Sequence, residues 1–126
     1  MLKEFTEQNE KIWSRQIHPN AITTSDFEHA MYGLCSEIGE LADVAKKLKF
    51  MGRTDRNRQT VIDECGDVLF YLERMLGVVG SSIREAVQAN IAKLAVRYGQ
   101  NGELKFKNLK PNKEAEDLAQ QMVLGV

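Results

Sequence analysis

Apolar residues recur every three to four positions along most of this chain, the spacing that puts them on one side of an α-helix. Phe5 to about Gln16 reads as a first helix, broken at His18-Pro19-Asn20. Ser25 with Glu28 forms a capping box, and the helix it opens runs to about Phe50. Leu34, Ile38, Leu41, Ala42, Ala45 and Leu48 share one arc of that second helix. Met51 to Arg58, with Gly52, Asp55 and Asn57, reads as a polar connection. A third helix from about Gln59 to Val79 gathers Val61, Ile62, Cys65, Val68, Leu69, Leu72, Met75 and Leu76 on its arc. Gly80 stops it, and Ser82 with Glu85 caps a fourth helix that ends near Tyr98.

The next stretch, Gly99-Gln100-Asn101-Gly102, is a turn signal. Glu103 to Leu109 alternates charged and apolar residues and predicts an extended segment. Pro111-Asn112 then opens a short helix over about Lys113 to Val123. The pattern predicts an all-α, four-helix bundle-like fold with short N- and C-terminal extensions. It reads as one domain over residues 1–126, with a core at 27–98 and a C-terminal extension at 99–126 that is a candidate oligomer arm.

Composition narrows the choice of function. At 126 residues and 43% apolar content the chain can bury a core, but one this short leaves apolar helix surface for a partner subunit. The net charge of −1 gives no basic excess of the kind that binds a phosphate backbone, so nucleic acid is not an expected partner. No stretch reaches the ~20 apolar residues that span a bilayer. The N-terminal MLKEFTEQNE lacks the apolar segment of a signal peptide. A cytoplasmic protein without membrane contact is expected. Cys35 and Cys65 form no ligand cluster and fall in apolar stripes, so they are expected as reduced core residues.

Four acids stand out against this frame. Glu37 and Glu40 lie one turn apart at the edge of the second helix's apolar arc, and Glu64 and Asp67 do the same on the third. Glu37-Ile-Gly-Glu-Leu41 and Glu64-Cys-Gly-Asp-Val68 repeat one pattern of acid, apolar, Gly, acid, apolar. Gly39 and Gly66 each cost about 1 kcal/mol relative to Ala inside a helix, which points to close backbone approach at both. If the two helices are neighbours, four carboxylates converge, and a bound cation relieves their repulsion. An all-oxygen donor set suits Mg²⁺ or Mn²⁺. Neither His18 nor His29 stands three residues after a Glu, which argues against a di-iron centre. The competing reading is two solvated acid pairs with no ion. On the fourth helix Asn90, Lys93 and Arg97 line one edge, a set suited to polyphosphate if Lys93 and Arg97 do not simply reach solvent.

With these residues placed, the chain resembles the MazG-like nucleotide pyrophosphohydrolases of the all-α NTP pyrophosphatase superfamily. The resemblance covers about Phe27 to Tyr98. It rests on Glu37-x-x-Glu40, Glu64-x-x-Asp67 and the run Asn90-Ile-Ala-Lys93-Leu-Ala-Val-Arg97-Tyr98, with GLCSEIGELADVAKK and VIDECGDVLFYL around the acids. It implies a helical dimer or tetramer that hydrolyses a (d)NTP between the α and β phosphates, giving (d)NMP and pyrophosphate. It also implies Mg²⁺ on Glu37, Glu40, Glu64 and Asp67, and phosphate contacts from Asn90 and Lys93. Lys47, and more weakly Lys46, matches a basic residue typical after the first acid pair. Trp13 is a candidate to stack on the base, set against a role in packing the first helix; Gln8, Asn9 and His29 are lesser candidates for base recognition. Two alternatives remain: a non-catalytic nucleotide-binding or regulatory module of the same fold, and a purely structural helical oligomer.

Overall fold

In the computed structural model, residues 1–13, 25–52, 55–98 and 112–126 are described. They form five helices and, among the described residues, no strand: α1 (Leu2–Trp13), α2 (Asp26–Met51), α3 (Asp55–Val78), α4 (Ile83–Tyr98) and α5 (Lys113–Leu124). The all-α expectation holds. The largest boundary error lies at Asp55–Arg58, expected as connection but helical. The end of helix one near Gln16 and the extended segment at 103–109 lie outside the described residues.

The capping chemistry explains most of the ends. Ser25 is the N-cap of α2, its side chain accepting from the Glu28 amide at 3.3 Å. Ser82 accepts likewise from Glu85 at the start of α4. Between α3 and α4, Gly80 takes φ of +75°, while its amide donates to the Gly77 carbonyl and that of Ser81 to Leu76. This paired bonding is a Schellman stop, and its left-handed residue favours Gly.

The chain divides into two compact units, Met1–Ser81 and Ser82–Val126. In the first, α2 and α3 pack along their lengths and α1 lies against α3. Trp13, at 2% exposure, anchors α1. It stacks on Phe70 at 5.7 Å and meets the edges of His29 and Tyr71. Asn9, also buried, donates to the Phe70 carbonyl at 2.9 Å. Arg74 of α3 is ion-paired with Asp26 of α2.

The α2–α3 pair is antiparallel, and its register can be read from contacts. A Cβ added at Gly33 would lie 2.2 Å from the Tyr71 ring, so Gly33 is where Tyr71 crosses α2. Seven residues further along α2 and seven back along α3, Glu40 and Glu64 share a carboxylate cluster. Another four bring Val44 and Thr60 onto one cavity, and a further three bring Lys47 and Asn57 onto it. Equal steps in opposite directions describe a straight ladder of rungs.

This register corrects two expectations. Close backbone approach occurs at Gly33; at Gly39 and Gly66 an added Cβ would meet nothing within 4 Å. The apolar arcs are also only partly covered. Ile38, at 54% exposure, joins Ile62, Leu69 and Leu72 as exposed residues of α2 and α3. Cys35 and Cys65 are exposed too, not core residues. Among the described residues, the apolar arcs of α2 and α3 therefore keep a partly uncovered face.

In the second unit α4 packs on α5. Arg97 donates through Nε and Nη2 to the two carboxylate oxygens of Glu116 at 2.8 and 2.9 Å, and Glu116 is 3% exposed. Arg97, one of two α4 cations for which a solvated end was an option, is instead tied to α5.

Candidate metal and nucleotide site

The ladder delivers acids from both helices to one place. Glu37, Glu40 and Glu64 each offer a carboxylate oxygen within 4.8 Å of the others. Glu37 and Glu40 are a turn apart because helical residues at i and i+3 share a face, and the rung pairing sets Glu64 against them. Asp67 is outside this trio and exposed. Its charge still reaches the neighbouring rung: burial, then Glu37 and Asp67, push the Tyr71 hydroxyl pKa up.

Glu64 carries the electrostatic tension of the cluster. Burial first, then Glu37 and Glu40, raise its carboxyl from an ordinary 4.5 to about 7. Its Oε2 is buried without a hydrogen-bond partner. An orphaned carboxylate oxygen facing two further carboxylates is a donor set that fits a hard divalent cation. All donors are oxygen, and among the described residues no His or Cys belongs to the group.

The basic candidates are distributed differently. Lys47 and Lys46 both bind Asp43, at 2.7 and 3.2 Å, and hold its carboxyl below the usual range. Asn90 (exposed) and Lys93 (half-buried) belong to the α4–α5 unit, where Lys93 helps Arg97 lower the Glu116 carboxyl. Trp13 has Phe70 against one face and is packed as an anchor of α1, the alternative to base stacking. Asn9 is likewise engaged with backbone, while His29 is exposed and touches Trp13 through its ring.

Arg56, Asn57 and Thr60 were not singled out by sequence reasoning. They line a cavity of about 510 Å³ with Val44, Lys47 and Gly52. Treating 51–58 as a loop hid Arg56 and Asn57, because the helical phase that aligns Asn57 with Glu64 starts only once α3 begins at Asp55; Thr60 was read as helical but carried no charge to mark it.

Residues 25–100, more than half of the chain, match the family model of the MazG nucleotide pyrophosphohydrolase domain. No curated protein and no solved structure gives a significant match. The acid ladder lies inside the matched span, and the chain belongs to the MazG nucleotide pyrophosphohydrolase domain family.

Proposed function

We propose that the protein is a Mg²⁺-dependent pyrophosphohydrolase that cleaves a (d)NTP between the α and β phosphates, releasing (d)NMP and pyrophosphate. The observation that carries this reading is the trio Glu37, Glu40 and Glu64, drawn from two helices with donor oxygens within 4.8 Å. Glu37, Glu40 and Glu64 would hold the ion, with Asp67, one turn beyond Glu64, as the fourth acid. Mn²⁺ is an acceptable substitute for such oxygen donors. When bound, the cation neutralises charge that develops on the leaving pyrophosphate.

The chain's own groups supply the rest. With a cation held there, Glu64 would give its proton to solvent and serve as a carboxylate ligand beside Glu37 and Glu40. Glu37 or Glu40 takes a proton from the attacking water; Glu40, exposed in the described chain, is open to solvent for that role. Lys47, at the far end of the ladder from Tyr71, would contact phosphate. Asn90 and Lys93 enter as phosphate contacts through the family pattern alone. Trp13 serves the site indirectly, by fixing α1 on α3. The uncovered side of α2 and α3, with Ile38, Ile62 and Leu69, supports assembly into a homo-oligomer.

The test is incubation of the purified protein with each common NTP and dNTP plus Mg²⁺, resolving nucleotides and assaying pyrophosphate directly. Monophosphate with pyrophosphate, lost in Glu64→Ala, is the expected result. Diphosphate with orthophosphate would place the cleavage at another bond. Binding without turnover would favour a non-catalytic nucleotide-binding module.

A further inference from the structure

The α2–α3 ladder carries an internal two-fold relation that explains where its cavity lies. The acid motif beginning at Glu37 recurs at Glu64, and exchanging the helices sends the Glu40–Glu64 rung to positions 37 and 67, which the same register sets opposite each other. Extending the same exchange by one step sends the Gly33–Tyr71 rung to Thr60–Val44. At the first of these positions an aromatic ring fills the seam and lies over a bare Gly backbone. At the second, a Val and a Thr replace the ring, and the space it would occupy is open. The cavity of about 510 Å³ lined by Val44, Lys47, Gly52, Arg56, Asn57 and Thr60 is found there.

The lining has a definite chemistry. Lys47 and Arg56 bring two cations, Asn57 and Thr60 bring an amide and a hydroxyl, Val44 and Met51 bring apolar surface, and none of the described lining residues is an acid. Asn57 Nδ2 donates to the Gly52 carbonyl at 3.2 Å, which ties the first turn of α3 to the end of α2. Lys47 is bonded to Asp43, but both side chains are about half exposed, and an ion pair in that setting is worth little. Lys47 can therefore exchange Asp43 for a more highly charged anion at small cost. Along the helices Lys47 lies two turns beyond Glu40, and Asn57 two turns before Glu64, about 10 Å at 1.5 Å per residue. The seam thus runs from an anionic cluster fit for a cation to a pocket that sets two cations beside apolar Val44 and Met51.

We infer that this pocket receives the β and γ phosphates of the substrate, and so the departing pyrophosphate, with Arg56 and Lys47 as its charged ligands and Asn57 and Thr60 as polar ones. This rests on the pyrophosphohydrolase reading and gives the substrate a direction: its phosphate tail points toward the α2–α3 corner, away from Tyr71. A guanidinium suits that place because it can grip phosphate oxygens in pairs, which an ammonium cannot.

The test uses the full chain with Mg²⁺ and inorganic pyrophosphate as the probe, by titration calorimetry, alongside pyrophosphate inhibition of any turnover. Arg56→Gln and Lys47→Gln should each weaken pyrophosphate about tenfold, the loss expected of one charge-assisted contact. Arg56→Lys should restore part of it. Arg56 is exposed, so its replacement does not threaten folding, and unchanged melting would verify that. Pyrophosphate affinity unchanged within twofold in both Gln variants, or wild-type protein that does not bind pyrophosphate at millimolar concentration, would overturn the inference. If pyrophosphate binds through Arg56 but no nucleotide is hydrolysed, the pocket stands and the hydrolase reading falls. If nucleotides are hydrolysed and Arg56→Gln leaves pyrophosphate binding and inhibition intact, the pocket alone falls.

Discussion

Replacing Gly33 with Ala tests the register that places every acid in the site. A Cβ there would stand 2.2 Å from Tyr71 Cε1 and 2.4 Å from Cδ1 and Cζ. Carbon atoms rest at about 3.5–4.0 Å, so the ring must retreat by more than ~1 Å. The ring is hemmed by Phe70, packed edge-on at 5.1 Å, and by Trp13 at 6.1 Å. Overpacking of this kind costs about 1–3 kcal/mol, against which a mid-helix Gly→Ala change returns up to ~1 kcal/mol. A net loss of about 1–2 kcal/mol lowers Tm by roughly 4–8 °C, taking an unfolding entropy near 2.1 cal/mol/K per residue. Thermal melts at one fixed protein concentration measure it. Gly39→Ala and Gly66→Ala are the matched controls, since nothing lies within 4 Å of either added methyl. They should hold or raise Tm, by up to about 4 °C. A Gly33→Ala protein that melts at or above wild type would refute the register. A loss at Gly39 or Gly66 would instead place another polypeptide surface against that side of the helix pair.

In EDTA, Glu64, whose carboxyl is raised from 4.5 to about 7, binds more protons folded than unfolded between those values. Wild-type Tm should therefore fall as pH rises through that window and level off above it, and Glu64→Gln should abolish the fall. Saturating Mg²⁺ at a hundredfold excess over Kd should then stabilise wild type by about 2.7 kcal/mol and Glu64→Gln much less; equal metal effects in the two proteins would argue against Glu64 as a ligand. Arg97→Ala should strip hydrogen-exchange protection from α5, because Glu116 is buried against that guanidinium; unchanged protection would mean the pair is not what fixes α5. Arg97 holds the Glu116 carboxyl below its ordinary 4.5, so the pair's contribution is present above that pH and lost as pH falls through the lower folded value. Acidification of wild type should reproduce the Arg97→Ala exchange pattern. Cys35 and Cys65 are both exposed, so both should react with a thiol reagent without denaturant at low protein concentration; protection that grows with concentration would report assembly over that face.

The parts of this molecule that were legible in its sequence are those fixed by local chemistry. Ser25 and Ser82 announce helix starts because a side-chain oxygen satisfies an orphan amide, and Gly80 announces a stop because φ must become positive. The acid pairs were legible because i, i+3 spacing is a property of one helix. What stayed hidden depends on how helices meet. Gly39 and Gly66 sit in the repeated motif, yet the Gly that matters for contact is Gly33, and only the neighbouring helix decides which one Tyr71 crosses. The apolar arcs were read as core, but periodicity marks a face without saying what covers it; hence Ile38 and both cysteines emerged exposed. Arg97 was hard to place because its partner, Glu116, lies nineteen residues away on a different helix. Residues 55–58 looked like a loop on composition, and their inclusion in α3 reflects tertiary context outweighing weak local preference.

The straight α2–α3 ladder also limits how this chain can change length. One residue inserted between Gly33 and Glu37 would swing the acid pair by about 100° around the α2 axis while Tyr71 kept its seat. No rotamer of Glu37 or Glu40 recovers that angle, and the trio would be dispersed even though every acid remained in the sequence. Extra residues after Gly52 and before Asp55 leave both helices in phase. Insertions and deletions in proteins built on this ladder should therefore collect at that corner and outside Gly33 and Tyr71, while the spans joining those residues to the acids keep constant length.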